Sequence, residues 1–395
     1  MSEKFYGMLY GDKFEKREQE AYALSHLLLS GSDLLGAAVT PETLSEFIKK
    51  KEFDGLIVSP EFSKTVMPLV SKTSAAARAC GAVDVIVKQP NGKLYADNTA
   101  IPAFAYLLER VYTEPIIGKC VILGGSSDAA AVKYVLTHRA GQIGEIVTVT
   151  EKGKNNFSNI SQHADATMLI NTLPSSAGLP FSLTDLPLLD TVIDLNFSPL
   201  NTPLTVAARS LGITAASGIP MVAARVKAAN ELFAGIGPAD NDILRTVEAA
   251  IVGRYMTVVL LSEDEGLAKA VAPMLSEAIG KKCYDIASVI EKLYGRSIAE
   301  IKQMNGPKTN EFDRSLRVAV NWASTRNSCI ICAPAEIAEN RSYHEQLAAN
   351  GPIIGIVKPE ESAEALEGFC DILVQIPDAE HAEIAVEAIR AELQI

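Results

Sequence analysis

The stretch 118–136, GKCVILGGSSDAAAVKYVL, decides the fold. Cys120–Leu123 is an apolar run, Gly124-Gly125 follows at once, and an alanine-rich segment comes next. Such a string reads as a β-strand passing through a tight glycine turn into a helix. In dinucleotide-binding folds this turn carries the phosphate loop, with glycines at fixed spacing so that the backbone can approach a pyrophosphate. Here the pattern G-x-G-x-x-G breaks: Ser126, Ser127 and Asp128 follow the two glycines. Asp128 places a negative charge at a helix N-terminus, where the peptide dipoles favour an anion from outside. The cofactor contacts left at this turn are Gly124, Gly125, Ser126 and Ser127, and no cofactor is expected.

Outward from this turn, apolar strands alternate with helical stretches along almost the whole chain. Expected strands span 55–59, 83–88, 120–124, 145–150, 167–172, 191–196, 256–262, 329–334, 353–358 and 371–376. Amphipathic helices, such as 74–80 and 129–140, lie between them. This alternation predicts α/β domains built on parallel sheets. A helix and a Glu-Pro break occupy 100–115. The Gly/Pro-rich string AGIGPADN (234–241) precedes a helix at 243–250, and a fresh strand–helix pattern starts near Tyr255. The expected division is therefore residues 1–105 with 215–238 as one lobe, 106–214 as a Rossmann-like lobe, 239–252 as a linker with a helix, and 253–395 as a separate α/β domain with a parallel sheet.

The 395 residues are 48% apolar and 21% charged, the balance of a globular chain of two or three domains. The net charge of −12 argues against nucleic acid, because binding phosphate backbones needs a basic surface. No run approaches the roughly 18 apolar residues of a membrane span, and the charged start MSEKFYGMLYGDKFEKREQE has no signal-peptide core. No membrane partner and a cytoplasmic location are expected. Six scattered cysteines suggest reduced thiols, and Cys329 and Cys332 lie in the strand-like run SCIICAP, so they read as core. The five histidines show no ligand spacing, and no metal is expected.

Four strings in 1–238 resemble shikimate dehydrogenases, in the family's order: GAVDVIVKQPNGKLYADNTAIPAF (81–104), LINTLP (169–174), DLNFSPLNTPLTVAARSLG (194–212) and SGIPMVAARVKAANELFAG (217–235). The resemblance implies a substrate lobe, a Rossmann-like lobe, NADP, and a Lys/Asp pair that moves a proton to and from the reacting oxygen. Carried over residue by residue, the lysine falls on Ser63 and the aspartate on Ala100. The asparagine of the family's Ala-Val-Asn string falls on Asp84, and a late substrate-holding glutamine falls on Arg225. Ser59, Asp84, Asn98, Thr99 and Arg225 are the candidate substrate contacts. Alternatively, Ser59, Asn98 and Thr99, like Asp285 further on, are satisfied turn residues. After the second Rossmann strand, Glu151 suits a ribose hydroxyl and Lys152 or Lys154 a phosphate, with a solvated charged turn as the alternative.

The segment YDIASVIEKLYGRSIAEI (284–301) resembles shikimate kinase, as do NEFDRSL (310–316), 340–359 and 366–393. The resemblance implies a P-loop, G-x-x-x-x-G-K-S/T, whose amides and lysine cradle phosphates. The corresponding string, LLSEDEGLAKAVAPML (260–275), has Ser262, Ala268 and Lys269 at the first glycine, lysine and Ser/Thr positions, and three carboxylates where triphosphate would sit. Asp285 and Arg314 are the remnants of the kinase pattern. The Arg-bearing lid is expected to be deleted between Pro359 and Phe369. Taken together, the chain resembles part of a multifunctional protein of aromatic amino acid (chorismate) biosynthesis.

Serine and alanine cannot replace groups that must titrate, so the first expectation is a pseudoenzyme with ligand-binding, scaffolding or regulatory work. Its expected partners are a shikimate-pathway metabolite or enzyme and a second copy of the chain. The alternative is an active NADP-dependent shikimate or quinate dehydrogenase in which Lys64 and Asp97, or Asp84, replace the missing pair.

Overall fold

The computed structural model describes residues 4–112, 118–138, 143–174, 177–235, 240–305, 310–359 and 364–393. The Glu-Pro break at 114–115, the glycine- and proline-rich residues 236–239 and much of the expected lid deletion (360–363) lie outside the described residues. The chain separates into two compact units, one of residues 1–198 and 204–251, the other of 199–203 and 252–395.

The first unit has two lobes. The first lobe contains β1 (Tyr6–Tyr10), α1 (Lys16–Ser30), β2 (Leu35–Ala38), α2 (Pro41–Lys50), β3 (Gly55–Val58), β4 (Lys72–Thr73), α3 (Ala75–Cys80), β5 (Val85–Lys88), β6 (Leu94–Asp97) and α4 (Ala100–Val111). Its sheet runs β2-β1-β3-β5-β6-β4. It is not wholly parallel, as the alternation had predicted: β5 is antiparallel to both β3 and β6. The cause is local. The string Gln89-Pro90-Asn91-Gly92 closes a turn, with Gly92 N–H on the Gln89 carbonyl at 2.8 Å and φ +74° at Gly92. So short a connection can join only antiparallel strands. Leu9, Leu56, Ile86 and Leu94 from these strands form the lobe's core with Leu44, Ile48 and Phe53.

The second lobe contains β7 (Gly118–Leu123), α5 (Ser127–His138), β8 (Ile143–Val149), β9 (Ala166–Asn171), β10 (Thr191–Asp194), α6 (Pro203–Ser210) and β11 (Thr214–Ser217). All its strands are parallel, in the order β8-β7-β9-β10-β11. This doubly wound order reverses direction between β7 and β9, and such sheets bind ligands at the carboxyl ends of the strands beside that point. The Gly124 turn stands there. Gly124 has φ +99°, and a Cβ on it would lie 2.7 Å from Thr172 Oγ1, so both conformation and space select glycine.

Helix α7 (Ile219–Ala234) returns to the first lobe and packs on α1 and α4. Helix α8 (Asp242–Tyr255) follows; its Glu248 accepts a hydrogen bond from Tyr106 at 2.9 Å and pairs with Arg110, both on α4.

The second unit contains β12 (Val258–Ser262), α9 (Glu265–Ile279), β13 (Lys282–Asp285), α10 (Ile286–Tyr294), α11 (Ile298–Asn305), α12 (Asn310–Ser324), β14 (Cys329–Pro334), α13 (Ser342–Ala348), β15 (Ile353–Val357), α14 (Glu364–Glu367), β16 (Ile372–Gln375) and α15 (Ala382–Leu393). Its sheet is parallel throughout, ordered β13-β14-β12-β15-β16, with the fully buried β12 at the centre. Cys329 and Cys332 are buried, free thiols on β14.

Candidate functional site

A cavity of the first unit, about 450 Å³, opens at the carboxyl ends of the second lobe's strands. Ser126, Asp128, Thr172, Leu173, Leu195 and Asn196 form its floor, and Phe14, Glu15, Glu18, Pro60 and Glu61 of the first lobe face them. The floor is tied down by hydrogen bonds. Thr172 Oγ1 donates to the Leu123 carbonyl at 2.7 Å, and Ser126 Oγ donates to Thr172 Oγ1 at 3.3 Å. Asn196 Nδ2 donates to Asp194 Oδ1 at 2.8 Å and to the Leu173 carbonyl at 2.9 Å. Ser126 also accepts from Ala129 N–H at 3.2 Å, so one of the donors at the N-terminus of α5 is already satisfied by a side chain.

Asp128 does not stand there as an isolated charge. Its Oδ1 is paired with Nη2 of Arg225, which reaches across from α7. Arg225 is buried, and its Nη1 donates to the Tyr22 hydroxyl at 3.3 Å. Burial alone would favour losing the proton, but Asp128, Tyr22 and Asp84 hold the guanidinium well above its ordinary pKa. Its Nε is buried with no hydrogen-bond partner. Burial pushes the Tyr22 phenol up to about 12. Glu18 shares the cavity wall, and burial, Glu15 and Asp128 together push its carboxyl up to about 7.

Asp84 is a cap. Its Oδ1 accepts Thr99 N–H at 2.5 Å, and its Oδ2 accepts Thr99 Oγ1–H and Ala100 N–H, both at 3.0 Å. The carboxylate thus satisfies the N-terminus of α4 from a neighbouring strand end. Burial raises its pKa, opposed by Arg225 and by these hydrogen bonds. Asn98 is equally engaged: Nδ2 donates to the Ala82 carbonyl at 3.1 Å and Oδ1 accepts Ala100 N–H at 3.1 Å. Ser63 is buried and donates to the Pro60 carbonyl at 2.7 Å. Ser63, Asp84, Asn98, Asp128 and Arg225 do surround a common space, but it measures only about 10 Å³. That is at the lower limit for one water. Ser59 lies beside it, its hydroxyl on Glu61 Oε1 at 3.4 Å, while Glu61 accepts Gly11 N–H at 2.7 Å.

Lys64 and Asp97 do not join this group. Lys64 is exposed. Asp97 had been placed in the cleft by its closeness in sequence to Ala100. Its carboxylate instead accepts from Ser74 Oγ at 2.5 Å, Asn98 N–H at 2.8 Å and Tyr95 OH at 2.9 Å, on the side of α3. Asp97 is the last residue of β6 and Ala100 the first of α4, so closeness in sequence does not bring the two side chains to one side. Glu18, on the cavity wall, and Tyr22, which holds Arg225, went unread in the sequence. Their i, i+4 spacing on α1 is the signal that pairs them.

In the second unit, β12 passes to α9 through Glu263 and Asp264 alone. Asp264 accepts Gly266 N–H at 2.9 Å, capping α9, and pairs with Lys358 at 2.7 Å. Lys269 is paired with Glu265 at 2.7 Å. Asp285 caps α10 through Ala287 N–H at 3.0 Å and Ser288 Oγ at 3.1 Å, and Arg314 is exposed on α12. Among the described residues, no three His, Cys, Asp or Glu side chains are grouped to hold a metal ion, and no helix is long and apolar enough to cross a membrane.

No protein-family model matches the chain. Among curated proteins, the shikimate dehydrogenase (NADP(+)) of Sphingopyxis alaskensis is 29% identical over 55% of this chain and 86% of its own length. The quinate/shikimate dehydrogenase (NAD(+)) of Corynebacterium glutamicum is 24% identical over 52% of this chain and 82% of its own. Among solved structures, a chorismate mutase/shikimate 5-dehydrogenase fusion protein from Clostridium acetobutylicum aligns with a TM-score of 0.56 at 22% identity, covering 64% of this chain and 97% of that one. Shikimate 5-dehydrogenase of Thermus thermophilus, in complex with NADP(H) and shikimate, aligns with a TM-score of 0.54 at 19% identity, covering 63% and 100%. The chain therefore contains the shikimate dehydrogenase fold, and more than a third of it lies outside these alignments.

Proposed function

We propose that the first unit is a catalytically degenerate relative of shikimate dehydrogenase that binds a ligand in its 450 Å³ cleft and serves aromatic amino acid biosynthesis as a regulatory or scaffolding protein. The observation that carries this reading is the filled corner. The residues aligned with the family's proton-transfer pair, Ser63 and Ala100, are buried and cannot titrate. The space among Ser63, Asp84, Asn98, Asp128 and Arg225 holds about 10 Å³, far too little for a cyclohexene ring. The aspartate missing at 100 has a counterpart at 84, where it caps α4 and sits within hydrogen-bond reach of Ala100 N–H. An aspartate at 100 would face that carboxylate at close range, and two such groups cannot both ionise cheaply.

Asp128 was the ground for expecting no cofactor. Arg225 compensates that charge, and curated relatives carry NADP(+) in their names, so NADP is the first ligand to test. The backbone at Gly125 is open, a Cβ there meeting only Thr150 Cγ2 at 3.6 Å. In this reading Gly125, Ser126 and Thr172 meet the pyrophosphate, and the exposed Lys152 and Lys154 meet a ribose phosphate. When bound, NADP would supply the hydride chemistry that the residues at 63 and 100 no longer complete.

We read the second unit as a shikimate kinase-like shell without phosphotransfer. Its central parallel strand leads into a helix, as a P-loop requires. Of the eight positions aligned with that motif, 262–269, only Glu263 and Asp264 lie outside strand and helix, and Asp264 caps the helix N-terminus.

A second reading keeps the first unit active as an NADP-dependent dehydrogenase, with Glu18 moving the proton. It is favoured by a carboxyl tuned to about 7 on the cavity wall. Melting curves of the whole chain with NADPH, NADP(+), shikimate, quinate and ATP, alongside an assay of NADPH-dependent dehydroshikimate reduction, separate the two. We expect a rise in melting temperature with NADPH or a shikimate-type acid, none with ATP, and no turnover above the blank. Turnover that disappears in Glu18→Gln would establish the second reading. No shift with any ligand would sink both.

A further inference from the structure

We propose that the cleft of the first unit takes up an anionic ligand together with a proton, and that Glu18 holds that proton. This rests on the reading of the cleft as a ligand site and adds what pH does to it.

The placement of charge around the cleft carries the inference. Glu18 lines the cavity of about 450 Å³ and also an adjoining chamber of about 50 Å³. Asp128 lines both as well, and Tyr22 and Arg225 line the chamber. Four carboxylates border the cleft, from Glu15, Glu18, Glu61 and Asp128, against the ammonium group of Lys13. The buried cation beside them, Arg225, is committed to Asp128 and to the Tyr22 hydroxyl. Glu61 accepts Gly11 N–H and the Ser59 hydroxyl. On α1 itself, Lys16 pairs with Glu20 and Arg17 donates to the Ser198 hydroxyl. The other charged residues of α7, Lys227 and Glu231, line a separate cavity with His26.

An anion that fills the cleft therefore brings its charge against a wall that is already acidic. Of the wall's carboxyls, Glu18 is the one poised to give way. Burial, Glu15 and Asp128 push it up to about 7, and Arg225 offsets part of that rise. A further negative charge in the same cavity raises it again, because like charges in a partly desolvated site favour the neutral acid. The protonated cleft is thus the form that binds. Affinity is full below about pH 7 and falls as pH rises above it, until the higher pKa of the complex is passed.

Calorimetric titration of the full chain with NADP(+) and with shikimate tests this. Titrations at about pH 6.5 and about pH 8.5, in buffers of different ionisation heat, read affinity and protons together. Each ligand should bind about tenfold more weakly at the higher pH and should carry a net uptake of protons near pH 7.5. A phosphomonoester such as the 2′-phosphate of NADP(+) titrates near pH 6, so the difference between wild type and variant is the quantity to read. Glu18→Gln should bind with the low-pH affinity at both pH values and take up no proton beyond the ligand's own. Asp128→Asn relieves the repulsion on Glu18 and should move the step to lower pH, which a mere loss of packing would not do. Equal wild-type affinity at the two pH values, a step that survives in Glu18→Gln, or a step unmoved in Asp128→Asn would overturn the proposal and leave the cleft a ligand site. No binding of either ligand at either pH would overturn the reading of the cleft, and the proposal with it.

Discussion

Replacing Glu18 by Gln should make the first unit more stable at neutral pH, although it removes a charge from a half-buried helix. The carboxyl is raised from its ordinary 4.5 to about 7. A group with a raised pKa in the folded state favours folding only while it is protonated. Its contribution is fully present below about pH 4.5 and is lost as pH rises through 7. At about 1.4 kcal/mol per pH unit, the full shift corresponds to roughly 3 kcal/mol of stability lost between those limits. Glu18 borders an open cavity, and water there screens Glu15 and Asp128, so about 1–3 kcal/mol is the expected range. Gln keeps the size and the polar end and cannot ionise. Urea unfolding from pH 4 to pH 8.5, followed by a probe in the first unit, should therefore give curves that coincide near pH 4. They should separate progressively up to pH 7.5, with the variant above the wild type. If the two profiles run parallel, the burial argument for Glu18 fails, and with it the second functional reading. If the variant falls below the wild type at pH 8, the carboxylate is stabilised by a cation, and the sign of the whole cluster must be reversed.

Other expectations concern the same network and its counterpart in the second unit. Arg225→Gln leaves Asp128 and Asp84 facing each other without their cation and should cost about 3–5 kcal/mol in urea unfolding. Adding Asp128→Asn should recover part of that loss, and the size of the recovery measures the pair in a double-mutant cycle. Asp84→Ala removes three hydrogen bonds from the start of α4 and should cost about 2–3 kcal/mol, read as a lower urea midpoint at unchanged slope. Asp264→Ala uncaps α9 and breaks the Lys358 pair; we expect about 1 kcal/mol, confined to the unfolding transition of the second unit.

Every strand expected from an apolar run is present, and most of them, such as β3, β10, β12, β14 and β15, are buried along their whole length and cannot be polar. The strands that went unread are mostly edges. β2 (LGAA), β4 (KT), β11 (TAAS) and β13 (KCYD) each border their sheet, face solvent and so need no apolar run. β1 and β6 are interior, but YGMLY and LYAD are short strings in which only two or three residues are buried, too few to stand out as an apolar run. The antiparallel β5 was legible in Gln89–Gly92, a turn signal outweighed by the strand–helix alternation around it. The site was harder to read. Substitutions at 63, 84, 100, 128 and 225 are visible one by one in the sequence, but their meaning is a matter of distance. Nothing in one dimension shows that Arg225, 97 residues away, meets Asp128, or that Asp84 is the cap of the helix that begins at 100.

Those distances change what the acidic residues at the two strand–helix turns mean. Read as free charges, Asp128 and Asp264 would repel phosphate in the same way. In the structure each belongs to an ion pair, with Arg225 and Lys358, so neither turn presents a bare negative field. What separates the turns is space. At Gly124–Ser127 the backbone keeps its glycines and an adjoining cavity of about 450 Å³, so an anion that compensates for its own desolvation can still approach. Between β12 and α9 the chain has two residues, and the Asp264 carboxylate already fills the position at the helix N-terminus that an anion would take. Removing the acid there would uncap the helix without creating a loop. Removing Asp128 would free the Arg225 guanidinium beside a turn that is already open. Nucleotide affinity should therefore respond to charge at 128 and be indifferent to charge at 264.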